Sequence, residues 1–162
     1  MRTAIVHIDQ ETINLYTAEM RSHEDEIYDY WLEMKKLNPY LMQVIGIFSE
    51  MGKMPADSLV LCVILICQLF EKQAGIGRAD GYMWKLPVIQ KEIVDNKFRE
   101  LTNNKSFLRK TIFRIYSENR PLMEVIKRCA ADSENFSAAW QCGLMVYELI
   151  TSQLKANNAP VS

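Results

Sequence analysis

The sequence predicts an all-α fold, and three observations carry that prediction. Glycine and proline are scarce, at 6 and 5 of 162 residues, so a turn-rich β-sandwich is disfavoured. Apolar residues recur at helical spacing along most of the chain. Only the segment 4–7 has the pattern of a strand. We expect a single compact bundle of six or seven helices over residues 1–155, followed by a frayed polar tail at 156–162.

The first helical segment has the most regular pattern. Its apolar side chains follow an alternating spacing of three and four from residue 13 to 37, which is a heptad seam. Asp9 is the predicted N-cap, and a capping signal at Ser22 allows a break there. The next helix is expected to begin at Pro39 and to end at Gly52.

The segment 56–72 is the predicted central helix of the bundle. Every side chain from Leu59 to Cys67 is apolar, so this helix has no face for water and must be surrounded by other helices. It is shorter than the roughly 20 residues that a membrane span needs. The N-terminal residues do not form a secretory signal, so we expect a cytoplasmic protein with no membrane contact.

Four helices are expected after the central one. They are predicted over 86–101, from a cap at Ser106, from Pro121, and from a cap at Ser133. The last carries a second heptad seam over 136–154. Because paired copies are the commonest oligomers, either seam, 13–37 or 136–154, predicts a homodimer.

The sequence carries no catalytic or cofactor motif. It has two histidines and neither a nucleophile elbow nor a phosphate loop, so we predict a protein that is not an enzyme and binds no cofactor or metal. None of the four cysteines forms a CxxC pair, and we interpret Cys62, Cys67, Cys129 and Cys142 as buried thiols. A helical enzyme or small-molecule sensor with a pocket between helices is a lower-ranked alternative.

The best site candidate is a loop rich in glycine and aromatic residues at 75–85. Loops carry function more often than scaffold helices do, and aromatic and arginine side chains are typical of interface hot spots. The candidate partner-binding residues are Arg78, Tyr82, Met83, Trp84 and Lys85. The alternative is that the aromatic side chains fold back into the core. The leading hypothesis is a non-enzymatic helical protein-interaction module, such as an adaptor, inhibitor or regulatory protein.

Charge is distributed unevenly along a chain whose net charge is −1. The segment 97–114 holds one acidic side chain and six basic ones: Lys97, Arg99, Lys105, Arg109, Lys110 and Arg114. This face predicts nucleic-acid binding as the alternative function. The competing interpretation is a solvated basic face whose interleaved phenylalanines, Phe98, Phe107 and Phe113, point into the core. The same face could also dock an acidic protein surface, including the acidic first helix of another copy.

Overall fold

The computed structural model describes residues 8–22, 24–52 and 88–157, which form seven α-helices and, within these ranges, no strand. The predicted all-α bundle is therefore confirmed. The helices are α1 (Gln10–Ser22), α2 (Glu24–Leu37), α3 (Pro39–Gly52), α4 (Lys91–Asn103), α5 (Lys105–Glu118), α6 (Arg120–Ala131) and α7 (Phe136–Asn157). The predicted central helix at 56–72 lies outside the described residues.

Among the described helices, α7 holds the central position. It is the longest of them, with 22 residues, and it packs on α3, α4 and α6. From Ala138 to Thr151 every side chain is buried except that of Gln141, which is half-buried. A helix that is covered on all sides must itself be the core around which the others assemble.

The remaining contacts arrange the other helices around α7. The first helix packs on α2 and α6, and α2 packs on α1 and α3. The helix α5 packs on α4 and α6, which leaves it at the margin of the bundle with its far side open to solvent. Because α5 lies at the margin, its outer face is exposed to solvent.

Several helix boundaries agree with the predictions from sequence. The Oδ1 of Asp9 accepts a hydrogen bond of 2.8 Å from the backbone N–H of Thr12, which makes Asp9 the N-cap of α1. The helix α1 ends at Ser22, and α3 begins at Pro39 and ends at Gly52. Local capping chemistry therefore determines these ends.

Three other predicted helix starts are wrong. Asn104 caps α5 instead of Ser106, because its Oδ1 accepts the N–H of Phe107 at 3.0 Å. Asn135 caps α7 in the same way with the N–H of Ala138 at 3.3 Å, whereas the hydroxyl of Ser133 donates to the Ala130 carbonyl at 2.6 Å. Asparagine and serine cap helices equally well, so composition does not distinguish them. The third wrong start is that of α4, which begins at Lys91 and not near residue 86.

Two buried asparagines tie distant segments together. The Oδ1 of Asn38 accepts the N–H of Ile89 at 2.7 Å, which holds the chain in extended form just before α4. The Oδ1 of Asn119 accepts the N–H of Ile8 at 2.7 Å, and its Nδ2 donates to the hydroxyl of Tyr147 at 3.2 Å. Each asparagine thus accepts a hydrogen bond from a buried backbone N–H that has no partner within a helix.

Two of the four cysteines lie in the part of the chain that the structure describes. Cys129 and Cys142 are buried thiols, as expected, while Cys62 and Cys67 lie outside the described residues. Over the ranges 8–22, 24–52 and 88–157, no helix combines the length and apolar character needed to cross a membrane.

Candidate functional site

The helix α5 has one face against the bundle and one in solvent. Thr111 and Ile115 are buried, and four neighbouring apolar side chains pack partly buried against the core: Phe107, Leu108, Ile112 and Tyr116. At 100° per residue, the exposed side chains fall within a sector of about 140°. They are Lys105, Ser106, Arg109, Lys110, Phe113 and Ser117, and we call this set the α5 stripe.

Phe113 is at the middle of the α5 stripe and is 80% exposed. This corrects the expectation that the phenylalanines of the basic segment all point inward, since only Phe98 and Phe107 pack against the core. The helical spacing indicates this exposure, because Phe113 is about 200° around the helix from the buried Ile115. This face of α5 therefore combines a largely exposed aromatic ring with exposed cations, which are side-chain types found at protein interfaces.

The six predicted basic residues divide into two groups. Lys97 and Arg114 are partly buried and turn toward the bundle, where they form ion pairs. The other four are exposed and have no carboxylate partner among the described residues: Arg99, Lys105, Arg109 and Lys110. The Nη2 of Arg99 donates to Asn96 at 3.0 Å. Only these four are placed to meet a partner.

The inward pair belongs to a charge cluster on three helices that is centred on the buried Glu148. Glu148 of α7 is 7% exposed, contacts the guanidinium of Arg114, and lies 3.7 Å from the Nζ of Lys97. The Nη1 of Arg114 also donates to Glu118 at 3.1 Å. The hydroxyl of Tyr147 donates to the same carboxylate at 3.0 Å.

The hydrogen bonds and ion pairs of this cluster stabilise the fold. Burial raises the pKa of the Tyr147 phenol above its usual range, so the hydroxyl stays protonated and can donate to Glu118. Glu148 meets two cations, which offsets part of the cost of burying its charge. The cluster therefore fixes the position of α5 relative to α4 and α7, and with it the direction in which the α5 stripe faces.

The other predicted sites have different outcomes. The glycine and aromatic loop at 75–85, with Arg78, Tyr82, Met83, Trp84 and Lys85, lies outside the described residues and stays a prediction. Across the part of the chain that the structure describes, no group of three or more histidine, cysteine or acidic side chains could hold a metal ion. The α5 stripe is thus the candidate site that the described residues support.

Comparison with known proteins adds no assignment: no family model, no curated protein and no solved structure matches this chain.

Proposed function

We propose that this chain is a non-enzymatic helical interaction module that docks an acidic, partly apolar partner surface on the α5 stripe. The observation that carries the proposal is the 80% exposure of Phe113 in the middle of that stripe. Arg109 and Lys110 precede it by one turn on the same face. Aromatic and arginine side chains dominate the binding energy of protein interfaces, so Phe113 is the anchor and the cations select an acidic partner.

The binding free energy that the α5 stripe can contribute is too small for a stable complex without further contact surface. Burying an exposed phenylalanine contributes about 1.5–3 kcal/mol, and each exposed ion pair adds about 0–1 kcal/mol. Association itself costs at least about 4 kcal/mol in lost freedom of motion. The stripe alone therefore supports a transient contact, and a stable complex requires further surface from the same protein.

The predicted loop at 75–85 is the further docking segment in this proposal. Its composition suits a hot spot. The double variant Tyr82→Ala, Trp84→Ala separates its contribution from that of the stripe. Regulatory action and a cytoplasmic location are parts of the same proposal.

Affinity enrichment from a nuclease-treated native lysate tests the proposed function. The bait is the wild-type chain beside Phe113→Ala, with Leu15→Ala as the matched control because Leu15 is also an exposed apolar side chain, on α1. We expect a partner that the wild type and the Leu15 variant retain and the Phe113 variant loses. Equal recovery of every bound protein by all three baits would contradict a docking role for the stripe.

Nucleic-acid binding is the second candidate, and one specific observation favours it. An exposed aromatic ring between cations is the arrangement on which single-stranded bases stack while phosphates meet the basic side chains. Phe113 with Arg109 and Lys110 has this composition. The net charge of −1 weighs against it, because nucleic-acid-binding domains usually have a basic excess.

Fluorescence anisotropy with a labelled single-stranded oligonucleotide tests the second candidate. Binding should fall steeply with salt, and Phe113→Ala should weaken it by about 1–3 kcal/mol per stacked base. Lys127→Glu on α6, an exposed cation outside the stripe, is the matched charge control for Lys110→Glu. No binding by the wild type at low salt would exclude this candidate.

A further inference from the structure

The helix α2 carries an exposed face whose chemistry complements that of α5. Tyr28 and Leu32 are 63% and 38% exposed, and Asp25 and Asp29 are exposed beside them. Lys36 continues the face toward the C-terminal end. We call Asp25, Tyr28, Asp29, Leu32 and Lys36 the α2 stripe.

The two stripes have the same spacing along their helices. The α2 stripe occupies positions i, i+3, i+4, i+7 and i+11 from Asp25, and the α5 stripe occupies the same positions from Ser106. In parallel, face-to-face alignment Leu32 is opposite Phe113, and Asp29 lies across from Arg109 because position i+4 of one helix meets position i+3 of the other. The same alignment sets Tyr28 opposite Lys110, a pair suited to a cation–π contact.

We infer that the α5 stripe of one copy docks the α2 stripe of a second copy of this chain. The inference rests on the proposed function, since it uses the same docking surface, and it names the partner. Charge complementarity identifies the α2 stripe as the partner surface. The α5 stripe contains no acidic side chain, and both charged residues in the first two turns of the α2 stripe are acidic. An apolar pair lies at the centre, where exclusion of water strengthens the contact.

Within one chain the two stripes belong to helices with different neighbours. The helix α2 packs on α1 and α3, whereas α5 packs on α4 and α6. Both stripes are exposed in the same molecule, so each copy can give one surface and receive the other. A contact about three turns long is small, so the association is transient and depends on salt.

A charge-swap experiment tests this pairing. Arg109→Glu, Asp29→Lys and the combination of both are compared with the wild type by sedimentation velocity over a concentration series at low salt. Both positions are exposed, so the variants should fold, which circular dichroism verifies. Lys127→Glu is the control, because it makes the same charge change at an exposed site on α6.

The expected result is that the wild type and the control self-associate and that each single variant weakens association by about tenfold or more. The combination, in which the opposite charges are exchanged, should return toward the wild-type dissociation constant. A wild type that stays monomeric, single variants that associate normally, or a combination that stays weak would each overturn the inference. If the wild type is monomeric but Phe113→Ala still loses a different partner from the lysate, only this inference fails and the proposed function stands.

Discussion

Phe113 and Ile115 are two residues apart on α5 and have opposite environments. Phe113 is 80% exposed and Ile115 is completely buried. Both are large apolar side chains, so hydrophobicity alone does not separate them. Their angular difference of about 200° does, because the face of α5 toward α4 and α6 is set by Leu108, Thr111 and Ile115.

Truncation at these two positions should have very different effects on stability. We expect Ile115→Ala to lower the free energy of unfolding by about 2–4 kcal/mol, because it removes buried contacts and leaves a cavity. Phe113→Ala should change it by no more than about 0.5 kcal/mol. Urea unfolding monitored by circular dichroism measures both. A large loss for Phe113→Ala would mean that its ring packs within the fold and is not a docking side chain.

The thiol of Cys142 is completely buried on α7. Burial raises its pKa from the ordinary 9.0 to about 12, because the apolar surroundings disfavour the charged thiolate. The unfolded chain then loses this proton at lower pH than the folded chain. The stabilisation is fully present below pH 9 and is lost as pH rises toward 12.

This linkage predicts a measurable alkaline instability. Between pH 9 and 12 the buried thiol should lower the free energy of unfolding by up to about 1.4 kcal/mol per pH unit. Cys142→Ala should have a shallower slope in that window, whatever its stability at neutral pH. Urea unfolding of both proteins at several pH values gives the two slopes. Identical slopes would show that the thiol titrates normally in the folded protein.

At the scale of elements, the sequence predicts that helices form better than it predicts which distant segments contact their ends. Caps that act on adjacent residues, such as Asp9 and Pro39, are visible in the sequence and are confirmed. The sequence does not show that Asn104, and not Ser106, caps α5, because both side chains can cap a helix. The sequence around residue 90 does not indicate the start of α4, because Asn38, 51 positions away, holds the backbone of Ile89.

Asn119 joins three elements, so its loss should be costly. Asn119→Ala removes the acceptor of the buried Ile8 N–H and the donor to the Tyr147 hydroxyl. We expect the free energy of unfolding to fall by about 2–3 kcal/mol, since buried polar groups lose their partners. The control Asn104→Ala removes only an exposed cap and should cost about 1 kcal/mol. Equal losses in chemical denaturation would contradict this role for Asn119.

The ion pairs of Glu148 link α7 to Lys97 of α4 and to Arg114 of α5. Glu148→Gln leaves Arg114 and Lys97 without their shared counter-charge, so we expect a loss of about 2–3 kcal/mol. The loss stays below that of a fully buried pair, because the Arg114 side chain is 37% exposed. Glu100→Gln, at a 46% exposed partner of Lys97, should change stability little. Thermal unfolding compares them, and a stable Glu148→Gln protein would show that the cluster is dispensable.

At the scale of the whole molecule, the helical class was predictable and the centre was not. The periodicity of α7 indicated one apolar seam over 136–154, yet its polar residues Glu148 and Thr151 are also buried. A glutamate in a helix normally indicates a solvent face. Its burial depends on Lys97 and Arg114, which are far away in sequence, and no local pattern records that pairing.

The candidate surface was predicted only in part for the same reason. The basic composition of 97–114 is visible in the sequence, but its division into inward and outward cations follows from where Glu148 lies. Lys97 and Arg114 stabilise the bundle, and Arg109 and Lys110 face solvent with Phe113. The proposed docking surface therefore consists of the cations and the phenylalanine that the packing of the bundle leaves exposed.

The most direct test of this account is site-specific photo-cross-linking from the α5 stripe. A photoreactive phenylalanine analogue replaces Phe113 in one sample and Lys127, an exposed residue of α6, in the control. We predict cross-links from position 113 to an acidic, partly apolar surface, with peptides spanning Asp25 to Lys36 of a second copy among the products. Position 127 should give no such product. No product specific to position 113 would contradict the claim that the α5 stripe is a docking surface.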